Sequence, residues 1–261
     1  MTGEADYDEN FLGTTRQKFI FCRLLSLLSG KCQDIDDIFA WMEGPVWEDS
    51  AVSDDQACVF ASLAKAQPDV FFRFTVYCIY YTTEGWNHKI EYKEGLLNLE
   101  SIHGEDYFDE DLQETIWDRD IISSIECKID KEGNIEEEWR SVCLELEKER
   151  LSELLGFIDK GTDDPSHLIN LGIIFETGLA GVDKNPAEAW DCYLKAAGTG
   201  DKDATEFVKM IFSDESKKDL QELLEQKHIS RDSFPVFFDL AVKENNTELT
   251  AQLLEYKASL E

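Results

Sequence analysis

The chain has 261 residues, 43% of them hydrophobic and 11% aromatic, which is enough to build one large core or two modest ones. Its 56 carboxylates against 25 lysines and arginines give a formal charge of −31, so phosphate backbones and anionic lipid surfaces are unfavourable partners and neither nucleic acid nor membrane is expected. No apolar run reaches the length of a membrane span, and the opening MTGEADYDENFLG is acidic where a secretory signal is basic and then apolar; a cytoplasmic protein is expected.

Residues 1–13 are polar and acidic and predict a disordered tail. From Thr14 a helix is expected through Phe19, Ile20, Cys22, Leu24 and Leu27 to a stop at Gly30. A second helix, Asp34 to Met42, starts on acidic residues and ends before Gly44-Pro45, with Trp41 and Trp47 on either side of the break. Ser53-Asp54-Asp55-Gln56 is a capping-box-like start for a helix that buries Ala57, Phe60, Ala61 and Ala64 and ends near Pro68. Beyond it, Val70 to Tyr81 is rich in β-branched and aromatic residues and predicts a strand with Phe72, Phe74, Val76, Cys78 and Tyr80 on one face.

Turns at Thr83-Glu84-Gly85 and Glu94-Gly95 then separate strands at His88 to Lys93 and Leu96 to Ile102. The result is an antiparallel meander whose exposed face carries Lys89, Glu91 and Lys93. A further hairpin is expected at Ser124 to Glu137, turning at Lys131-Glu132-Gly133-Asn134. The neighbouring Asp130 resembles the start of a calcium loop, but the glycine falls at the fourth position instead of the sixth, which favours a plain turn. Together these elements predict an α+β domain over residues 14–140.

Glu136 to Phe157 predicts one amphipathic helix with Trp139, Val142, Leu146, Leu151, Leu154 and Leu155 inward and Glu145, Glu147, Lys148, Glu149 and Arg150 on a solvated face. It opens a second, all-α half at 141–261. There Leu168, Leu171, Ile174 and Phe175 form one helical stripe, Gly178 and Gly181 break it, and Asn185-Pro186 starts a second helix with Ala189, Tyr193, Ala196 and Ala197 on its apolar face. Small side chains on that face predict an αα-hairpin packed through alanine. More helix is expected at 204–212, with Phe207, Met210 and Ile211 inward, and at 217–226. Two last short helices flank Asn245-Asn246, read as a turn and helix cap.

The stretch 167–204 resembles a Sel1-like repeat, a relative of the tetratricopeptide repeat, at Leu171-Gly172, Phe175, Gly178, Val182, Lys184-Asn185-Pro186, Ala189, Tyr193, Ala196-Ala197, Gly200 and Ala204. It departs from that pattern at Cys192, where an aromatic residue is usual, and no second full copy follows. Residues 232–261 resemble an ankyrin-type helix pair at Phe234-Pro235-Val236, Ala241, Glu248, Leu253-Leu254 and Ala258, without that family's histidine. Both resemblances imply helical-repeat scaffolding for protein partners, with each unit needing neighbours to cover its faces.

Seven cysteines without a C-x-x-C predict buried free thiols in a reducing compartment, and four histidines with no i, i+4 pair predict no metal site. No phosphate-cradling glycine loop, nucleophile with base, or cofactor motif is present, so the chain is expected to be a non-enzymatic protein-binding module with no cofactor. The run Glu105 to Asp120 holds eight carboxylates and one basic residue. It is read as an acidic helix with Tyr107, Phe108, Leu112, Ile116 and Trp117 inward, or as a surface for a basic partner formed by Glu105, Asp106, Asp109, Glu110, Asp111, Glu114 and Asp118. In the narrower form of the second reading, the protein is an immunity- or inhibitor-type protein that occupies the basic groove of a nuclease toxin. The competing reading is a hydrolase with its site in the α+β half, using His88, His103 or the 105–120 carboxylates.

Overall fold

A computed structural model describes residues 15–29, 54–77, 79–83, 86–109, 114–130, 132–210, 223–225, 228–243 and 245–260. The expected tail at 1–13, the expected helix at 34–42 and both flanking tryptophans lie outside these residues. The chain divides into two compact units, one holding Ile20–Arg150 and the other Thr14–Phe19 together with Leu151–Glu261. The N-terminal region is a helix-and-sheet fold and the C-terminal region a helical bundle.

The first unit draws on helices α1 (Thr15–Ser29), α2 (Asp54–Ala66), α3 (Pro68–Tyr77) and α4 (Glu137–Arg150), and on strands β1 (Ile79–Thr83), β2 (Trp86–Lys93), β3 (Leu96–Asp109) and β4 (Glu114–Lys128). The strands form one antiparallel sheet in the order β1-β2-β3-β4. At the tight β2–β3 turn Glu94 and Gly95 both have positive φ, 53° and 81°, the handedness that a two-residue hairpin needs to match strand twist. Ile90, Tyr92, Leu97, Leu99, Cys127 and Ile129 are buried on one side, whereas Lys93 and Lys128 are exposed. That side meets an aromatic cluster in which Phe74 lies 5.1 Å from Phe21, 6.4 Å from Phe60 and 6.0 Å from Phe71, and Phe71 lies 6.0 Å from Tyr92.

Two expectations are corrected here. Val70 to Tyr77 is helix, not strand, and strand begins only at Ile79. Pro68 opens α3, Phe71 N–H donates to Gln67 O, and the buried positions are Val70, Phe71, Phe74 and Thr75, while Phe72 is 50% exposed. That is a helical stripe; a continuous apolar run satisfies both periods, and the proline at the helix start is the feature that separates them. Secondly, Glu105 to Asp120 is not a helix. Residues up to Asp109 continue β3 and those from Glu114 begin β4, in one ladder from Asp109↔Glu114 down to Leu96↔Lys128. Extending a ladder already nucleated by buried strand pairs the backbone groups that face across it, and this outweighs a local pattern that also fits a helix.

The helix expected from Glu136 to Phe157 is two. The chain turns at buried Leu151, with φ −100° and ψ 6°, between α4 and α5 (Ser152–Lys160). The stripe is re-phased accordingly: Cys143, Leu146 and Glu147 face inward on α4, and Val142 is exposed. Glu147 therefore leaves the solvated face assigned to it. It is 1% exposed and accepts a 2.7 Å hydrogen bond from Ser62 Oγ on α2, itself buried. Ser62→Ala withdraws a donor from a buried carboxyl, and we expect a loss of about 2 kcal/mol in urea unfolding; a change below about 0.5 kcal/mol would show that the bond is inconsequential.

The second unit contains α5, α6 (Pro165–Thr177), a 3-10 turn at Leu179–Gly181, α7 (Pro186–Gly198), α8 (Lys202–Met210), α9 (Phe234–Lys243) and α10 (Thr247–Leu260). Its helix ends are built as their sequences dictate. Asp164 accepts from His167 N–H before Pro165, Gly178 closes α6 in the left-handed region at φ 74°, and Asn185 accepts from Glu188 N–H before Pro186. Helices α6 and α7 form the expected hairpin with Ala189, Ala196 and Ala197 buried. Gly172 on α6 lies against the ring of fully buried Tyr193. Phe207 of α8 meets the same ring edge-on at 4.6 Å. At the C-terminus Asn245 turns with φ 54° and Asn246 Oδ1 accepts from Leu249 N–H to start α10. Ser233 Oγ donates to Asp191 of α7 at 2.7 Å, and Tyr256 of α10 donates to Ile229 O at 2.8 Å, tying the last helix pair to the bundle.

Candidate functional site

Strand β2 pairs with β3 only as far as Trp86↔His103. Among the described residues, 104–109 of β3 and 114–119 of β4 pair only with each other, a two-stranded stretch of about 20 Å at about 3.4 Å per residue. This ribbon carries five of the seven residues singled out as an acidic surface; Glu110 and Asp111 lie outside the described residues. The register sets Glu105 opposite Asp118 and Asp109 opposite Glu114, with Asp106 opposite Trp117. Strand alternation puts the positions of Glu105, Asp109, Glu114 and Asp118 on one face of the ribbon and that of Asp106 on the other. His103 pairs with Asp120 on the first of these faces. As a helix, the same run would have spread its acids around a cylinder. As a ribbon it sets the positions of five of them, Asp120 included, on one face, with the Tyr107–Ile116 pair between the Glu105–Asp118 and Asp109–Glu114 pairs.

At the other end of the sheet lies a groove of about 940 Å3, lined by Phe72, Tyr92, Leu96, Lys128, Asp130 and Glu136 among others. Tyr92 OH donates to Asp130 O at 2.7 Å and to Ile129 O at 3.2 Å, and burial raises its pKa. The Asp130 carboxylate accepts from Glu132 N–H, Asn134 N–H and Asn134 Nδ2; the side-chain bond from Asn134 leads in lowering its pKa. These bonds and Gly133, at φ 81°, make the segment the plain turn expected of it. Lys128 Nζ stands 3.7 Å from Glu136.

The second unit holds a smaller pocket of about 190 Å3 lined by Arg16, Glu176, Pro186, Ala189, Trp190, Leu223 and His228. Glu176 is gripped from two sides: Arg16 Nη2 donates to Oε1 at 2.7 Å and Tyr193 OH to Oε2 at 2.8 Å. The Arg16 guanidinium also lies over the Trp190 ring, 5.4 Å from its centre. Burial, and next the Glu176 charge, raise the Tyr193 pKa well above its usual value. Sequence reading missed this cluster because its charged pair is 160 residues apart and no local pattern marks either member.

Among the described residues no group of three or more His, Cys, Asp and Glu side chains is arranged to hold a metal ion, and no helix is long and apolar enough to cross a membrane. Cys22, Cys58, Cys127, Cys143 and Cys192 are buried free thiols, as expected for the cysteines described. Compared with known proteins, the chain matches no family model, no curated protein and no solved structure.

Proposed function

We propose that this chain is a non-enzymatic protein-binding module that captures a basic partner on the acidic β3–β4 ribbon. The observation that carries the proposal is the row of Glu105, Asp109, Glu114 and Asp118 positions on one face of a ribbon that outruns the rest of its sheet. Like charges set opposite each other across strands cost the free protein self-repulsion, and lysines or arginines of a partner relieve it. Chain-wide, the −31 charge steers such a partner in and turns polyanions away. In this reading the C-terminal bundle, including the Sel1-like and ankyrin-like pairs, is the scaffold half of a cytoplasmic binding protein. Its narrower form is an immunity- or inhibitor-type protein that fills the basic groove of a nuclease.

The test is affinity purification from the native host at low salt and at about 0.5 M salt, where screening shortens to a few ångströms. A basic protein retained only at low salt is expected. The variant combining Glu105→Gln, Asp109→Asn, Glu114→Gln and Asp118→Asn should weaken that complex at least about tenfold, with thermal unfolding unchanged or raised. Partners that are neutral or acidic, or retention untouched by the variant, would sink the reading.

A hydrolase reading keeps the groove beside Tyr92 and Glu136 as its place in the fold. Ester or amide turnover by the purified chain that disappears in Glu136→Gln would put it in place of the binding reading.

A further inference from the structure

Cys58 on α2 and Cys143 on α4 meet in the core of the first unit, each 1% exposed. Cys143 Sγ lies 2.9 Å from Cys58 Sγ and donates to it, across a separation of 85 residues. Two sulfurs at that distance from neighbouring helices need little further movement to reach the bonded separation of about 2.05 Å. A third buried thiol, Cys127 at the end of β4, is within electrostatic reach of both. We propose that Cys58 and Cys143 are a cystine-forming pair, which a low-molecular-weight disulfide such as oxidised glutathione closes into a covalent tie between α2 and α4.

One cysteine thiolate attacks a sulfur of oxidised glutathione, forming a mixed disulfide and releasing one glutathione thiolate. The second cysteine thiolate then attacks the protein sulfur of that mixed disulfide and releases the other glutathione. The two cysteines give up two electrons and two protons, and both appear in two molecules of reduced glutathione. In the closed core the reaction is slow. The Cys143 thiol is held protonated by its bond to Cys58 and by burial, and burial pushes Cys127 up to about 12, so exchange proceeds through states in which α4 lifts from α2.

The test uses the full chain. Reduced, folded protein is incubated with oxidised glutathione in sub-denaturing urea, quenched with an alkylating reagent, digested without reductant and mapped by mass spectrometry. A peptide pair joining Cys58 to Cys143 is expected, absent after dithiothreitol. The oxidised chain should unfold with a midpoint roughly 10 °C higher, because the bridge closes a long loop in the unfolded state. Recovery of both cysteines alkylated, a link from either to Cys127 or another cysteine, or an unraised midpoint would each overturn the proposal. Because the map is read on the unsubstituted chain, it does not depend on any variant folding.

Discussion

Replacing Gly172 by alanine lowers the stability of the chain by about 3 kcal/mol, the sum of overpacking and a weakened buried hydrogen bond. Helix propensity alone argues the other way, since alanine in a helix interior is favoured over glycine by about 1 kcal/mol. Packing decides the sign. A Cβ at this position falls 2.3 Å from Tyr193 Cε1, 2.7 Å from Cδ1 and 2.9 Å from Cζ. The ring has nowhere to go: it is fully buried, with Trp190 edge-on at 5.6 Å, Phe207 at 4.6 Å and its hydroxyl on Glu176. Urea unfolding of Gly172→Ala checks the magnitude, and pairing it with Tyr193→Leu should return part of the loss, because the smaller side chain vacates the clash. A single variant more stable than the parent would show that the two helices do not approach so closely.

Gly133→Ala is expected to cost about as much, roughly 3 kcal/mol, for a different reason: a left-handed backbone and a collision with main chain instead of with a ring. Its φ is 81°, and an added Cβ lies 2.7 Å from Lys65 Cα, 2.8 Å from Ala64 O and 3.0 Å from Lys65 O. Those atoms belong to the last turn of α2 and cannot rotate aside. Gly200 supplies the control: it too has a positive φ, 85°, but nothing lies within 4 Å of its added Cβ. Gly200→Ala should therefore lose only about 1 kcal/mol, the conformational part. Equal losses at the two sites would mean that the turn after β4 does not sit against α2.

What the sequence made legible is what short-range chemistry encodes. The end of α6 and the start of α7 follow from Gly178, Asn185 and Pro186, each of which is a cap or a helix start wherever it occurs. The Glu94-Gly95 and Asn245-Asn246 turns are local in the same sense. The errors fall where a pattern satisfies two periods. Val70 to Tyr77 is apolar almost throughout, so alternation and a helical stripe fit it equally, and Pro68 carried the information that separates them. Glu105 to Asp120 spaces its aromatics well enough for a helix, and only the ladder begun between Leu96 and Lys128 commits it to strand. Glu147 looked solvated because its sequence neighbours are charged, yet its partner Ser62 is on another helix. The Arg16–Glu176–Tyr193 cluster and the Cys58–Cys143 pair are likewise products of tertiary assembly, joining residues that no window along the chain holds together.

The ribbon beyond β2 has a second consequence, for the behaviour of many molecules at once. Among the described residues no further strand pairs with 104–109 or 114–119, and a border of such a ribbon, where uncovered, offers backbone donors and acceptors on which a neighbouring copy builds. Stacking copies along such a border would bring rows of aspartate and glutamate into register with one another, which opposes fibre growth at neutral pH. The acidic positions proposed above to meet a cationic partner are therefore also expected to oppose self-assembly, and light scattering from a concentrated solution should rise as the pH is lowered.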